Sequence, residues 1–257
     1  MDQELDSTIR ASVGLVKRIP GGYLRMGSPF HPREYPQRTV SVAEFEFVQT
    51  PVTVSQYKDF LDAGGSREEL WWDPEAWAWL QGKAFGWGRE NRSRPDRWRI
   101  QLRRLHHPVV GITWFEAQAY CTWLSAETKQ VVRMPTEEQW EWAARGDDSR
   151  PFPWGEEFDL EITNTIEGNR RDTVTAGSLT ADISPFGVLE MGGNVQEWVA
   201  SEYTPLSGEF FPSGRLRIAR GGSFNDTSYG ARTSYRRAYP PGYFYPFLGF
   251  RLVVGYR

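Results

Sequence analysis

Arg133-Met134-Pro135-Thr136-Glu137-Glu138-Gln139-Trp140-Glu141 sets Thr136 three residues ahead of Gln139. In that pattern the hydroxyl and the side-chain amide can satisfy each other's orphan backbone amides at a helix start. The pattern recurs at Thr53 with Gln56 and at Thr113 with Glu116. Three helices are therefore expected. One runs to about Leu61, where Gly64-Gly65 stops it, and another to about Ala144, with Gly146 behind it. The helix after Thr113 carries Trp114, Ala117, Cys121 and Leu124 as one apolar stripe, so Cys121 reads as a small buried hydrophobe. Glu137, Glu138 and Glu141 read as acids placed near a helix start, where the dipole favours them.

Elsewhere the pattern is one of short strands and long loops. Leu216 and Ile218 alternate with Arg215 and Arg217, and Phe250 and Leu252 with Arg251 and Val253, the period of half-buried strands. Residues 66–105 are rich in Trp and Arg with little periodicity and read as an insertion. Nothing repeats and no linker divides the chain, so its 257 residues are expected to form a single domain, 1–257.

Composition narrows the function classes. The 12 Trp mean either a core built of indoles or aromatics displayed for recognition. A net charge of −3 argues against a nucleic-acid binder. Arg outnumbers Lys 26 to 4, which suggests a GC-rich or heat-adapted source and a thermostable protein. The start, Met1-Asp2-Gln3-Glu4-Leu5-Asp6, lacks the basic and apolar runs of a secretion signal, and no apolar stretch could cross a membrane. A soluble, cytoplasmic protein is expected, with other export routes left open. A single cysteine rules out an intrachain disulfide and any cysteine-cluster metal site.

Further motifs complete a series. Gly21-Gly22-Tyr23-Leu24-Arg25-Met26-Gly27-Ser28, Pro51-Val52-Thr53 and His107-Pro108-Val109-Val110-Gly111-Ile112-Thr113-Trp114 precede the stretch already quoted. Met191-Gly192-Gly193-Asn194-Val195-Gln196-Glu197-Trp198, Arg220-Gly221-Gly222-Ser223 and Gly249-Phe250-Arg251 follow it. In this order, and over nearly the whole chain, the series resembles the formylglycine-generating enzyme (sulfatase-modifying factor) family. The resemblance implies an α+β, C-type-lectin-like fold: few helices around small twisted antiparallel sheets, high loop content, and termini joined by strand pairing. It does not carry the activity, which depends on the site.

By the same resemblance, the family's oxidase binds copper through one cysteine just after the Gly-Gly-Ser turn and another five residues on. Those positions here are Asp226 and Ala231, and neither supplies the thiolate that Cu(I) requires. A related branch forms carbon–sulfur bonds with histidine-held iron, but His106 and His107 are adjacent and His31 is remote. No phosphate loop, nucleophile elbow or zinc-protease motif is present. Family members often bind calcium near the Gly-Asn-Val segment, which makes Asn164, Asn194 and Glu197 candidates beside a hydrogen-bonded structural role for Asn194. No cofactor is otherwise required.

The last segment has an unusual composition. From Gly221 to Arg257 there is no Lys, Glu, Gln, Trp or Met, although 51 of these stand before it. Uniform composition would place about 8 or 9 of them there. None of the five has a codon ending in a pyrimidine, which resembles the products of diversity-generating retroelements that mutate adenines in Asn codons. The implied variable ligand-binding region is 221–251. Its diversified positions would come from Asp226, Thr227, Tyr229, Gly230, Tyr235, Arg237, Ala238, Tyr239, Tyr243, Tyr245, Pro246 and Phe247. Phe224 and Phe244 depart from that pattern, which has Trp and Arg there, while Arg232, Arg236, Pro241 and Gly249-Phe250-Arg251 form its frame. Tyr with small polar residues is the composition of antibody paratopes, and Pro240-Pro241-Gly242 suggests a surface loop. Tyr229, Tyr239, Tyr243, Tyr245 and Phe247 are expected to converge on one solvent-facing patch. The expectation is a non-enzymatic variable protein with an unidentified protein or glycan partner. The alternatives are a divergent metal-dependent oxidase or sulfoxide-synthase-type enzyme, and a pseudo-enzyme subunit with a fixed partner.

Overall fold

The computed structural model describes residues 13–83, 92–204 and 215–255. The acidic start at 2–6 and part of the 66–105 segment lie outside these residues.

All three helix starts form as expected. Helices α1 (Val54–Asp62), α4 (Trp114–Thr128) and α5 (Glu137–Arg145) each begin with a reciprocal box, on Thr53, Thr113 and Thr136 respectively. The α1 chain leaves through Gly64 at φ +84, a left-handed position that glycine reaches without steric cost. On α4 the expected stripe is only part of what is covered, because Phe115, Glu116, Ala119, Tyr120 and Trp123 are buried as well. The first two turns are therefore enclosed on most sides, while Thr122, Ala126 and Glu127 reach the surface farther along.

Three sheets surround these helices. One four-stranded sheet has the order β1 (Val16–Ile19), β4 (Phe45–Val48), β10 (Val253–Gly255), β5 (Val131–Arg133), all antiparallel. Strands from the two ends of the chain thus flank β4, as the resemblance implied. Strands β2 (Gly22–Met26) and β3 (Arg38–Val42) form a separate antiparallel pair. The third sheet has the order β8 (Arg236–Tyr239), β7 (Leu216–Arg220), β6 (Gln196–Tyr203), β9 (Leu248–Phe250). Here β6 and β9 run parallel, with Trp198 opposite Phe250, so the sheets are not antiparallel throughout.

The alternation expected at 250–253 does not hold, since Phe250, Arg251, Leu252 and Val253 are all buried. The chain changes sheets there, leaving β9 and entering β10, and Arg251 stays inside because it is ion-paired. Most of the described indoles also lie inside. Trp72, Trp79, Trp98, Trp114, Trp123, Trp140, Trp142 and Trp198 are all buried. Three of them come from residues 66–105, which contribute α2 (Pro74–Leu80) and α3 (Trp98–Gln101) to the main core. Among the described residues, no helix is long and apolar enough to cross a membrane.

Candidate functional site

The C-terminal segment rests on buried ion pairs. Arg220, fully buried on β7, contacts Glu137 Oε1 at 3.2 Å, pairs with Glu141, and donates to the carbonyls of Thr233 and Ser234 at 2.8 and 3.0 Å. Glu141 also binds Arg145 at 2.9 Å, and Glu137 binds Arg236 at 2.8 Å. Glu137 and Glu141 are therefore anchors of this network and not simply dipole partners of the helix. Burial pushes the Glu137 carboxyl up while Arg220 and Arg236 pull it down. Arg232 reaches Glu34 at 2.7 Å, and Arg251 grips Glu197 at 2.6 Å. Charges this deep are tolerated only when paired and hydrogen-bonded. The frame residues thus hold residues 231–251 against three other parts of the chain.

On this base lies a ribbon of contacts centred on Asp226. The Asp226 carboxylate is 5 % exposed, receives the Ser223 hydroxyl, and pairs with Arg237 at 2.9 Å. Arg237 reaches the Tyr239 hydroxyl at 3.4 Å, and that hydroxyl donates to Gln196 Oε1 at 3.0 Å. Tyr239 packs on Tyr245 at 5.1 Å, and Tyr245 stacks on Phe247 at 5.3 Å. In the other direction Arg237 lies over the Tyr235 ring, Tyr235 meets Tyr229 at 5.8 Å, and Tyr229 meets His31 at 6.3 Å. Burial drives the Tyr235 hydroxyl up to about 12.

The expected patch is therefore only partly open to solvent. Thr227, Tyr229, Tyr243 and Pro246 are exposed, and Arg237, Ala238, Tyr239 and Tyr245 are half-buried. Asp226, Gly230, Tyr235 and Phe247 are buried. Phe247 joins the main core, and Tyr239 packs against Trp198 at 5.9 Å, so the aromatics serve core and surface together. A Cβ added at Gly230 would stand 2.8 Å from the Asp226 Cβ, so this position lacks room for variation without a shift. Pro241 and Gly242 are buried too, because the Pro241 carbonyl accepts from the amide of Trp114 at the start of α4.

Sequence reasoning did not connect Gln196 or His31 with this surface. Gln196 stands within the quoted 191–198 motif, but its contact with Tyr239 spans 43 residues and no local signal marks it.

The metal candidates divide similarly. Both Glu197 oxygens are taken by Arg251, and Trp140 Nε1 donates to one of them at 2.7 Å. Asn194 Oδ1 accepts from Asn164 and from the Val174 amide. Only Asn164 keeps a buried oxygen without a partner, so the three together do not fit a calcium ion in this arrangement. His31 caps the short turn at Pro32–Glu34, whereas His107 bonds Thr173, so the histidines sit on different elements. Cys121 is buried, and desolvation raises its thiol far above the usual range.

Two core clusters, three small sheets and a closing strand tied by the Arg251–Glu197 pair place this chain in a definite class. It belongs to the sulfatase-modifying factor enzyme 1-like domain family, whose model matches residues 3–255. It is 31% identical over 214 residues to a hercynine oxygenase of Mycolicibacterium smegmatis, which covers 74% of this chain and 48% of that protein. The chain thus spans about half the length of that relative. It is 29% identical to the inactive C-alpha-formylglycine-generating enzyme 2 of Bos taurus, over 93% of this chain and 87% of that one. The family includes both enzymes and inactive members. In fold it matches Treponema denticola variable protein 1 with a TM-score of 0.67 at 20% identity, over 93% of this chain and 94% of the other.

Proposed function

We propose that this chain is a non-enzymatic ligand-binding member of its family, the variable protein of a diversity-generating retroelement. The observation that carries the reading is the Asp226–Arg237 pair. It stands where the family resemblance places the first copper thiolate, and Ala231 stands where it places the second. The Asp226 carboxylate is already paired with Arg237 and accepts the Ser223 hydroxyl, which suits a scaffold contact beneath a recognition surface. Above it, half-exposed Tyr239 and Tyr245 with exposed Tyr229 and Tyr243 offer rigid amphipathic contacts of the paratope kind. The fold shared with Treponema denticola variable protein 1 supports the same reading. Partner identity, protein or glycan, lies with whichever side chains occupy those positions.

The test is at the DNA level. A near-copy of the codons for 221–251, with Asn codons where Tyr, Asp or Ala stand here, should lie beside a reverse-transcriptase gene. A complete genome carrying this gene without such a copy overturns the reading.

The similarity to hercynine oxygenases favours a second reading, a metal-dependent oxygenase. It predicts oxygen uptake by the iron-loaded protein with hercynine, measured against a protein-free blank.

A further inference from the structure

A cleft of about 180 Å³ opens beside the C-terminal surface, between α3 and the loop at 171–173. Its apolar lining includes Ile100, Val110, Phe224 and Pro246. Its charged lining is Arg97, Arg104 and Arg171 against Asp96 and Asp172. Arg104 pairs with Asp172, and Arg97 Nε lies 3.8 Å from Asp96. Arg171 is left without a carboxylate among the described residues, its Nε donating to the Asn169 side chain at 2.7 Å. Three guanidiniums against two carboxylates leave one uncompensated positive charge over an apolar floor.

The walls are fixed. Gln101 donates to the carbonyls of Asp96 and Val110 at 2.7 and 2.9 Å and accepts from the Val110 amide at 3.1 Å. His107 bonds Thr173 at 3.0 Å. Arg97 and Arg171 both hold left-handed backbone, at φ 51 and φ 56. That conformation is uncommon for side chains other than Asn, Asp and Gly and concentrates at binding sites. Burial, and then the nearby Arg104 charge, push the His107 imidazole below its ordinary value, while Asp172 raises it.

We propose that this cleft binds a carboxylate on a short apolar or aromatic stem, with Arg171 as its principal partner and Phe224 and Pro246 against the stem. A guanidinium fork matches a carboxylate in two parallel bonds, and a single spare charge suits a monoanion. The cleft is smaller than the ~300–1,000 Å³ of pockets for whole drug-sized ligands, so it holds one such group. The group comes either from a free organic acid or from the C-terminal residue of a peptide. The inference goes beyond the diversified-surface reading and stands without it.

The test titrates the full chain with phenylacetate and with phenylacetamide, following binding by calorimetry and by the His107 imidazole proton signals. Phenylacetate should saturate with a Kd on the order of 1 mM, as expected for so small a ligand. The amide should bind at least tenfold more weakly, and Arg171→Gln should weaken phenylacetate tenfold or more while Arg215→Gln does not. Equal binding of acid and amide, no binding of either, or an unaffected Arg171→Gln protein overturns the proposal. N-acetyl-Ala-Phe as free acid and as amide separates the sources. Tighter binding of the dipeptide acid than of phenylacetate assigns the site to peptide termini, and the reverse assigns it to free acids. A protein that binds phenylacetate as stated but whose gene has no template copy nearby retains this site and loses the retroelement reading.

Discussion

Truncating Phe250 to alanine removes a fully buried ring that packs edge-on against Tyr120 at 5.3 Å and Tyr57 at 6.5 Å. Its backbone is fixed on both sides, by the parallel register with Trp198 and by the Val52 amide. The surroundings therefore relax little into the space left behind, and the loss should be about 3–5 kcal/mol. For a chain of this size each kcal/mol moves the melting temperature by about 2–4 °C, so a drop of about 6–20 °C is expected. The comparison is Thr227→Ser with Tyr243→Ser, both exposed. Together these should cost no more than about 1 kcal/mol, or about 2–4 °C. Scanning calorimetry of both variants beside the parent gives the answer. Equal loss in the two would mean that the C-terminal loop is core, and a recognition surface on an independent scaffold would then have no physical basis.

Arg251→Met should cost about 3–5 kcal/mol in chemical denaturation because it strands the buried Glu197 charge. Adding Glu197→Leu should restore part of that loss, less about 1–3 kcal/mol for the Trp140 indole that loses its acceptor, and a double variant no better than the single would contradict the pairing argument. Gly230→Ala should destabilise by about 1–3 kcal/mol, since the new methyl meets Asp226 at 2.8 Å. A melt identical to the parent's would return Gly230 to the set of freely variable positions. Supplied with copper, the protein should leave the cysteine of a sulfatase-type peptide unoxidised, because Asp226 and Ala231 offer no thiolate. Copper-dependent product above the blank, read by mass spectrometry, would remove that argument.

What could be read from the sequence was local or already patterned. The Thr53, Thr113 and Thr136 boxes each bond within three residues, so their chemistry is written in adjacent letters. The motif series placed the chain in its family because it runs nearly end to end. The ion pairs were hidden by distance. Arg220 meets Glu137 across 83 residues and Arg232 meets Glu34 across 198, and nothing near either partner announces the other. The period rule failed at 250–253 for a related reason, since Arg251 reads as an outward residue until Glu197 is known to stand beneath it. The tyrosines were given too much solvent, because Trp198 packs on Tyr239 and Phe247 on Tyr245.

The buried pairs divide their charges unequally between the C-terminal segment and the rest of the chain. Arg232, Arg236 and Arg251 come from the segment, while Glu34, Glu137 and Glu197 come from before it. The segment is therefore a plug with three positive pins, and the remainder of the molecule is the socket. Transplanting residues 221–257 into a relative should succeed only where that relative keeps all three acids. A host lacking one would enclose a guanidinium with nothing to answer it, and the graft should fail to fold whatever its exposed side chains are.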